Sequence, residues 1–207
     1  MKLKITVGAI AVLLVSLLGG YYYWSLEQTL NRQEDIYDNE TAEFPSAYVD
    51  EARGIKLTYP AGWQSIPADE SSDTVVTFIP ESESSNQVVV TAKKLDDRVS
   101  LDEYTTATVY AITQDLLQAK IIDSQKISLD NSPAHQIIYT AQENGKPIKY
   151  LQVWLLKNDR AYAIAYKARE DNYDDFVRVV KDVIIKSFKV RDLETATQTT
   201  ATDSKAL

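Results

Sequence analysis

No cysteine occurs among the 207 residues. That excludes disulfide frameworks, thiolate zinc sites, cysteine nucleophiles and a lipid-modified N-terminal cysteine. Histidine occurs once, as His135, without the two or three further nitrogen or sulfur ligands that a zinc site needs. A Ser-His-Asp triad would have to use the same residue, and no G-x-S-x-G motif supplies its serine. His135 therefore reads as a solvent-facing or hydrogen-bonded strand residue. Basic residues are outnumbered, 22 Lys/Arg against 30 Asp/Glu for a net charge of −8. That balance argues against nucleic acid, whose affinity rests on Lys/Arg neutralising phosphates. There is no internal repeat. What remains, 44% hydrophobic and 25% charged residues, suits one globular domain plus extras.

The acidity is unevenly placed. Residues 1–52 hold 3 Lys/Arg and 8 Asp/Glu, whereas residues 53–190 hold 17 against 19. Ahead of the acidic stretch, Lys2 and Lys4 precede an uncharged run over residues 5–24, ITVGAIAVLLVSLLGGYYYW. Twenty residues make a helix of about 30 Å, enough to cross a hydrocarbon core. The closing Tyr21–Tyr22–Tyr23–Trp24 suits the headgroup boundary. Lysines before the run and Glu27, Glu34 and Asp35 after it place the N-terminus in the cytoplasm and the rest outside. A cleaved secretory signal is the rival reading, with a small-residue site near Gly19 or Gly20 but no A-x-A pattern. The expected organisation is a transmembrane anchor (1–24), an acidic linker (25–52), a folded domain (53–190) and a disordered polar tail (191–207).

Within the domain, strand and helix signals alternate. Residues 55–59 alternate apolar and polar before Pro60. Residues 74–79 and 87–94 are Val-rich runs separated by ESESSN, an expected antiparallel pair. Ser100-x-x-Glu103 forms a capping box, and Leu101, Tyr104, Thr108, Ile112, Leu116 and Ala119 recur on one helical face. A strand over 121–129 leads to a meander over 133–142, 146–157 and 160–168. Asn144-Gly145 and Asn158-Asp159 tolerate the positive φ of its tight turns. The last two strands are apolar on both faces, so both faces need cover. A closing helix is expected over 172–188. The fold class is α/β (α+β): an α/β/α sandwich with a mostly antiparallel sheet of six to seven strands.

Few residues look chemical. Glu170, Asp171, Asp174 and Asp175 offer oxygens for calcium, the one cofactor considered. Their place at a helix start, without loop glycine or Asp-x-Asp spacing, favours capping instead. Asp96-Asp97 and Asp69-Glu70-Asp73 read as solvated loop charges. Tyr139, Tyr150, Tyr162 and Tyr166 either fill the sheet–helix layers or line a groove. No catalytic, cofactor-binding or metal-ligating residue is assigned.

The pattern resembles the PsbP family of photosystem II extrinsic proteins. The resemblance rests on GIKLTYPAGW over 54–63, SLDEY over 100–104, PAHQIIYT over 133–140, YLQVWLLKNDRAYAIAYKA over 150–168, and Tyr173, Phe176 and IIKSFKV ending at 190. It implies a sandwich that binds and does not catalyse, docking on a membrane protein complex such as photosystem II to stabilise it or aid its assembly. Cyanobacterial relatives look like lipoproteins; without cysteine, this chain carries the apolar run in that place. The alternative is an exported domain that binds a small ligand or ion outside photosynthesis.

Overall fold

The computed structural model describes residues 45–82, 85–95 and 98–192. The expected anchor, most of the linker, the tail beyond Asp192, and Asp96 and Asp97 lie outside the described residues.

Three hairpins organise the chain. Asp130-Asn131, Asn144-Gly145 and Asn158-Asp159 all have positive φ at both positions, from 50° to 75°. Such two-residue turns match the twist of the flanking strands. They join β6 (Lys120–Leu129), β7 (Ser132–Glu143), β8 (Lys146–Lys157) and β9 (Arg160–Arg169) into a meander. Beside β9 lies β5 (Gln87–Lys94), then β4 (Thr74–Pro80) and β3 (Trp63–Pro67). The result is a seven-stranded antiparallel sheet in the order β3-β4-β5-β9-β8-β7-β6.

The strand at Ile55–Tyr59, β2, does not join this sheet. It forms a separate three-stranded sheet between β1 (Ser46–Asp50) and β10 (Lys189–Val190). β1 thus starts inside the stretch expected to be linker. β3 was not expected at all; it is short and carries Pro67, whose missing N–H confines proline to edges and strand ends.

Both faces of the large sheet are covered, as the doubly apolar strands require, but by unlike layers. On one face lies α1 (Leu101–Asp115), held at its start by the Ser100–Glu103 capping box. It packs Tyr104, Ala111 and Ile112 on Ile137, Tyr139, Tyr150 and Trp154. The helix ends earlier than the apolar spacing suggests: Leu116 is extended, and Gln118 has φ 53°. On the other face the small sheet supplies Ile55, Leu57 and Val190, and the closing helix supplies Val180, Ile184 and Phe188. The cover is therefore helix on one side and sheet plus helix on the other, within an antiparallel, sheet-rich α+β fold.

The closing helix changes form midway, from α2 (Tyr173–Val179) to a π-helical segment, Val180–Ile185. Bonding from i to i+5 widens the turn. That suits the four-residue spacing of Val180, Ile184 and Phe188, all buried. Ser187 Oγ accepts the Thr58 N–H at 2.8 Å, tying this segment to β2. Each large core side chain contributes roughly 1.5–3 kcal/mol by burial, so the two apolar layers carry most of the stabilisation.

Candidate functional site

The turns that build the meander also fix a row of side chains. A two-residue turn at Asn144-Gly145 places Tyr139 opposite Tyr150, and the turn at Asn158-Asp159 places Tyr150 opposite Lys167. β5 then sets Gln87 opposite Lys167. Directly opposed residues share a face, with Cβ atoms about 5 Å apart. Gln87, Lys167, Tyr150 and Tyr139 therefore cross four strands on the α1 side of the sheet.

A polar network hangs from this row. The Tyr139 and Tyr150 rings stack at 4.5 Å and 7°. The Tyr150 hydroxyl donates to Glu143 Oε1, and Lys167 Nζ donates to Glu143 Oε2 at 3.0 Å. The Lys167 and Glu143 side chains are only 11% and 23% exposed. Burial, and then the Glu143 charge, push the Tyr150 phenol far above its ordinary value; the same two causes act on Tyr139. Both hydroxyls stay protonated, and Tyr150 acts as a donor to the carboxylate. Gln87 is buried, and its Nε2 has no hydrogen-bond partner. Beside the network, Lys146, Pro147, Arg169, Glu170 and Asp171 line an open hollow of about 360 Å³. Lys146 opposes Glu143 in register, and the Glu170 N–H donates to the Pro147 carbonyl at 3.1 Å.

The PsbP-like protein family pattern matches residues 6–190. The chain belongs to that family. No curated protein matches it, but solved structures share its fold. Cyanobacterial PsbP of Synechocystis is 18% identical with a TM-score of 0.56, covering 76% of this chain and 98% of its own. LpqN of Mycobacterium tuberculosis, involved in cell envelope biogenesis, is 13% identical with a TM-score of 0.51, covering 72% and 86%. The Ran-binding protein Mog1p of Saccharomyces cerevisiae is 8% identical with a TM-score of 0.54, covering 72% and 96%.

The other expected positions of this PsbP-like chain fall as follows. His135 is buried, and its Nε2 lies 2.8 Å from Ser124 Oγ. Its ring stacks on Trp154 at 5.2 Å. Burial, and then the charge of Lys126, lower its pKa and keep the ring neutral. The nearby Asp102 carboxylate is engaged by Lys126 at 2.8 Å.

The acidic set is dispersed. Asp171 pairs with Arg169, Asp174 and Asp175 occupy the first turn of α2, and Glu170 lines the hollow. Among the described residues no three His, Asp or Glu side chains converge where a metal ion would sit. The Asp69–Asp73 loop has a structural use: Arg53 Nη2 donates to the Glu70 and Ser72 carbonyls.

The four tyrosines divide between the two cores. Tyr139 and Tyr150 join the α1 side, and Tyr162 and Tyr166 the other. Tyr162 donates to the Arg53 carbonyl and Tyr166 to that of Tyr173. Lys149 Nζ sits 4.3 Å over the Tyr173 ring.

Sequence reasoning missed Gln87, Glu143 and Lys167. The available signal was a lysine placed within the doubly apolar strand AYAIAYKA, where an unpaired charge would be expensive.

Proposed function

We propose that this PsbP-like chain is a membrane-anchored, non-enzymatic accessory domain. Residues 5–24 hold it to the membrane with the N-terminus in the cytoplasm, and the folded domain docks on a membrane protein complex from the exported side. The observation carrying this reading is the start of the family match, at residue 6. Apolar run, acidic stretch and folded domain thus fall within one family pattern. An uncleaved run of twenty uncharged residues is long enough to span a bilayer, and the flanking charges set its orientation. Photosystem II is the first complex to test, on the family resemblance; an exported ligand-binding domain outside photosynthesis is the competing assignment.

The test uses the full chain, tagged at its C-terminus, in its own cells. The chain should stay in the membrane pellet after alkaline extraction, and external protease should remove the tag once the outer barrier is opened. Chemical cross-linking followed by purification should recover subunits of one membrane complex. Release by alkaline extraction, a tag protected inside the cytoplasm, or no complex subunit among the cross-linked products would each defeat the proposal.

A further inference from the structure

The geometry points to Ser124 as a reactive hydroxyl, with His135 as its base, that takes up an acyl group from an activated ester. This goes beyond the docking role and does not depend on it.

Strand register brings the pair together. Lys126 stands opposite His135, and Ser124 opposite Ile137. Ser124 is therefore the diagonal neighbour of His135 on one face of the sheet, and its Oγ lies 2.8 Å from His135 Nε2. The imidazole is fixed by stacking on Trp154 at 5.2 Å and 28°. Trp154 is itself buried and donates from Nε1 to Thr105 Oγ1 at 3.1 Å. A base held by packing in this way meets its hydroxyl without first having to be oriented.

The ring and the hydroxyl lie in different surroundings, as an activated nucleophile requires. His135 is buried, whereas Ser124 is exposed on β6, the outermost strand of the large sheet. A reagent reaches the hydroxyl from solvent without entering the core. The charged groups acting on the ring are Lys126 and Asp123 of β6 and Asp102 of α1. Burial and Lys126 outweigh the two carboxylates and favour the neutral ring. The Tyr104 phenol, edge-on to Trp154, is pushed up to about 12 by burial and stays uncharged. With the ring proton on Nδ1, the Nε2 lone pair accepts the Ser124 proton.

The step balances with these groups and one co-reactant, the ester. Oγ attacks the carbonyl carbon and forms the new C–O bond, and the bond to the leaving group breaks. The leaving group departs as an anion, and the serine proton passes to Nε2 and then to water. An aryl ester or a thioester fits, because its leaving anion needs no proton. The product is a chain acylated once, at Ser124.

The experiment treats the full chain in detergent with 4-nitrophenyl acetate. Acetyl groups are located by peptide mapping before and after hydroxylamine, which strips esters and spares lysine amides. Ser124 should carry a hydroxylamine-sensitive acetyl well ahead of the other exposed serines, and Ser124→Ala should lose it. The rate at Ser124 should be level above about pH 6.5 and fall below it as the neutral ring is lost. A hydroxyl without a base becomes faster with every pH unit instead. A folded His135→Gln protein, checked by its melting curve, should react at least about a hundredfold more slowly. Lys126→Gln, at an exposed position, keeps the ring in place. It should move the fall in rate to higher pH, because Lys126 lowers the pKa of His135. Acetylation of Ser124 no faster than of other exposed serines, a rate that keeps climbing with pH, an undiminished rate in folded His135→Gln, or a fall unmoved by Lys126→Gln would overturn the assignment.

Discussion

Arg53 and Asp50 form an ion pair at 2.7 Å with side chains only 9% and 10% exposed. Arg53 also holds the Glu70 and Ser72 carbonyls, while its own carbonyl accepts from Tyr162. One residue thereby joins the β1–β2 turn, the loop before β4 and the large sheet. Arg53→Met would leave Asp50 buried without its cation, and removing one partner of a buried pair costs about 3–5 kcal/mol. Urea denaturation should show a loss of that order with an unchanged m-value. A loss below about 1 kcal/mol, the usual worth of an exposed pair, would refute this role.

His135 predicts a pH dependence. Its folded pKa lies below the ordinary value because burial, and then Lys126, disfavour the charged ring. The unfolded chain therefore binds the proton more readily, and stability rises with pH wherever that is so. The His135 contribution is complete above about pH 6.5 and declines as pH falls below it. Unfolding free energies between pH 5 and 8 should show this slope in the wild type, and His135→Gln should flatten it. Equal slopes in both proteins would exclude His135 as the source.

Asp130 acts at lower pH and in the same direction. Burial raises its pKa, but the Val190 N–H, the Lys189 bond and charge, and the Lys157 charge together outweigh it, leaving the carboxyl below its ordinary value. Its stabilisation is present above the unfolded value of about 3.9 and is lost as pH falls through the lower folded value. Asp130→Asn keeps a residue that tolerates positive φ while removing the charge. Acid titrations followed by tryptophan fluorescence should show less stability lost by the variant than by wild type below pH 4.

Gly145 separates backbone strain from packing. Its φ is 75°, and a Cβ built there meets nothing within 4 Å. Gly145→Ala should therefore cost only the left-handed penalty, about 1 kcal/mol, and Gly145→Asn less, since asparagine visits that region. Thermal unfolding of the two variants tests the order. An alanine as stable as asparagine would contradict it.

Much of the meander was legible because its turns are written in residues that accept positive φ. Once Asn144-Gly145 and Asn158-Asp159 are placed, the row Tyr139–Tyr150–Lys167 follows from counting. Gln87 does not follow, since β5 meets β9 across about eighty residues of sequence and no local pattern states that pairing. β1 was hidden for another reason: SAYVD is half exposed at the edge of a small sheet, so it carries little apolar alternation. The period of two that marked Ile55–Tyr59 as a strand says nothing about which sheet receives it. Cover was predicted from the apolar faces of β8 and β9, but a sheet satisfies that requirement as well as a helix does. Glu143 and Lys167 were not singled out, because their mutual burial exists only after the strands align.

Under the proposed membrane tether, the ladder between β1 and β2 takes on a mechanical meaning. Any tension on the chain ahead of Ser46 would enter through this outer strand, whose five register pairs run from Ser46–Tyr59 to Asp50–Ile55. A pull along the strand loads those pairs together in shear, whereas a sideways pull opens them one at a time from Ser46. Either way the last point to yield is Asp50, latched to Arg53 and through it to the large sheet. The pair is thus the mooring through which force on the proposed tether would reach the domain core.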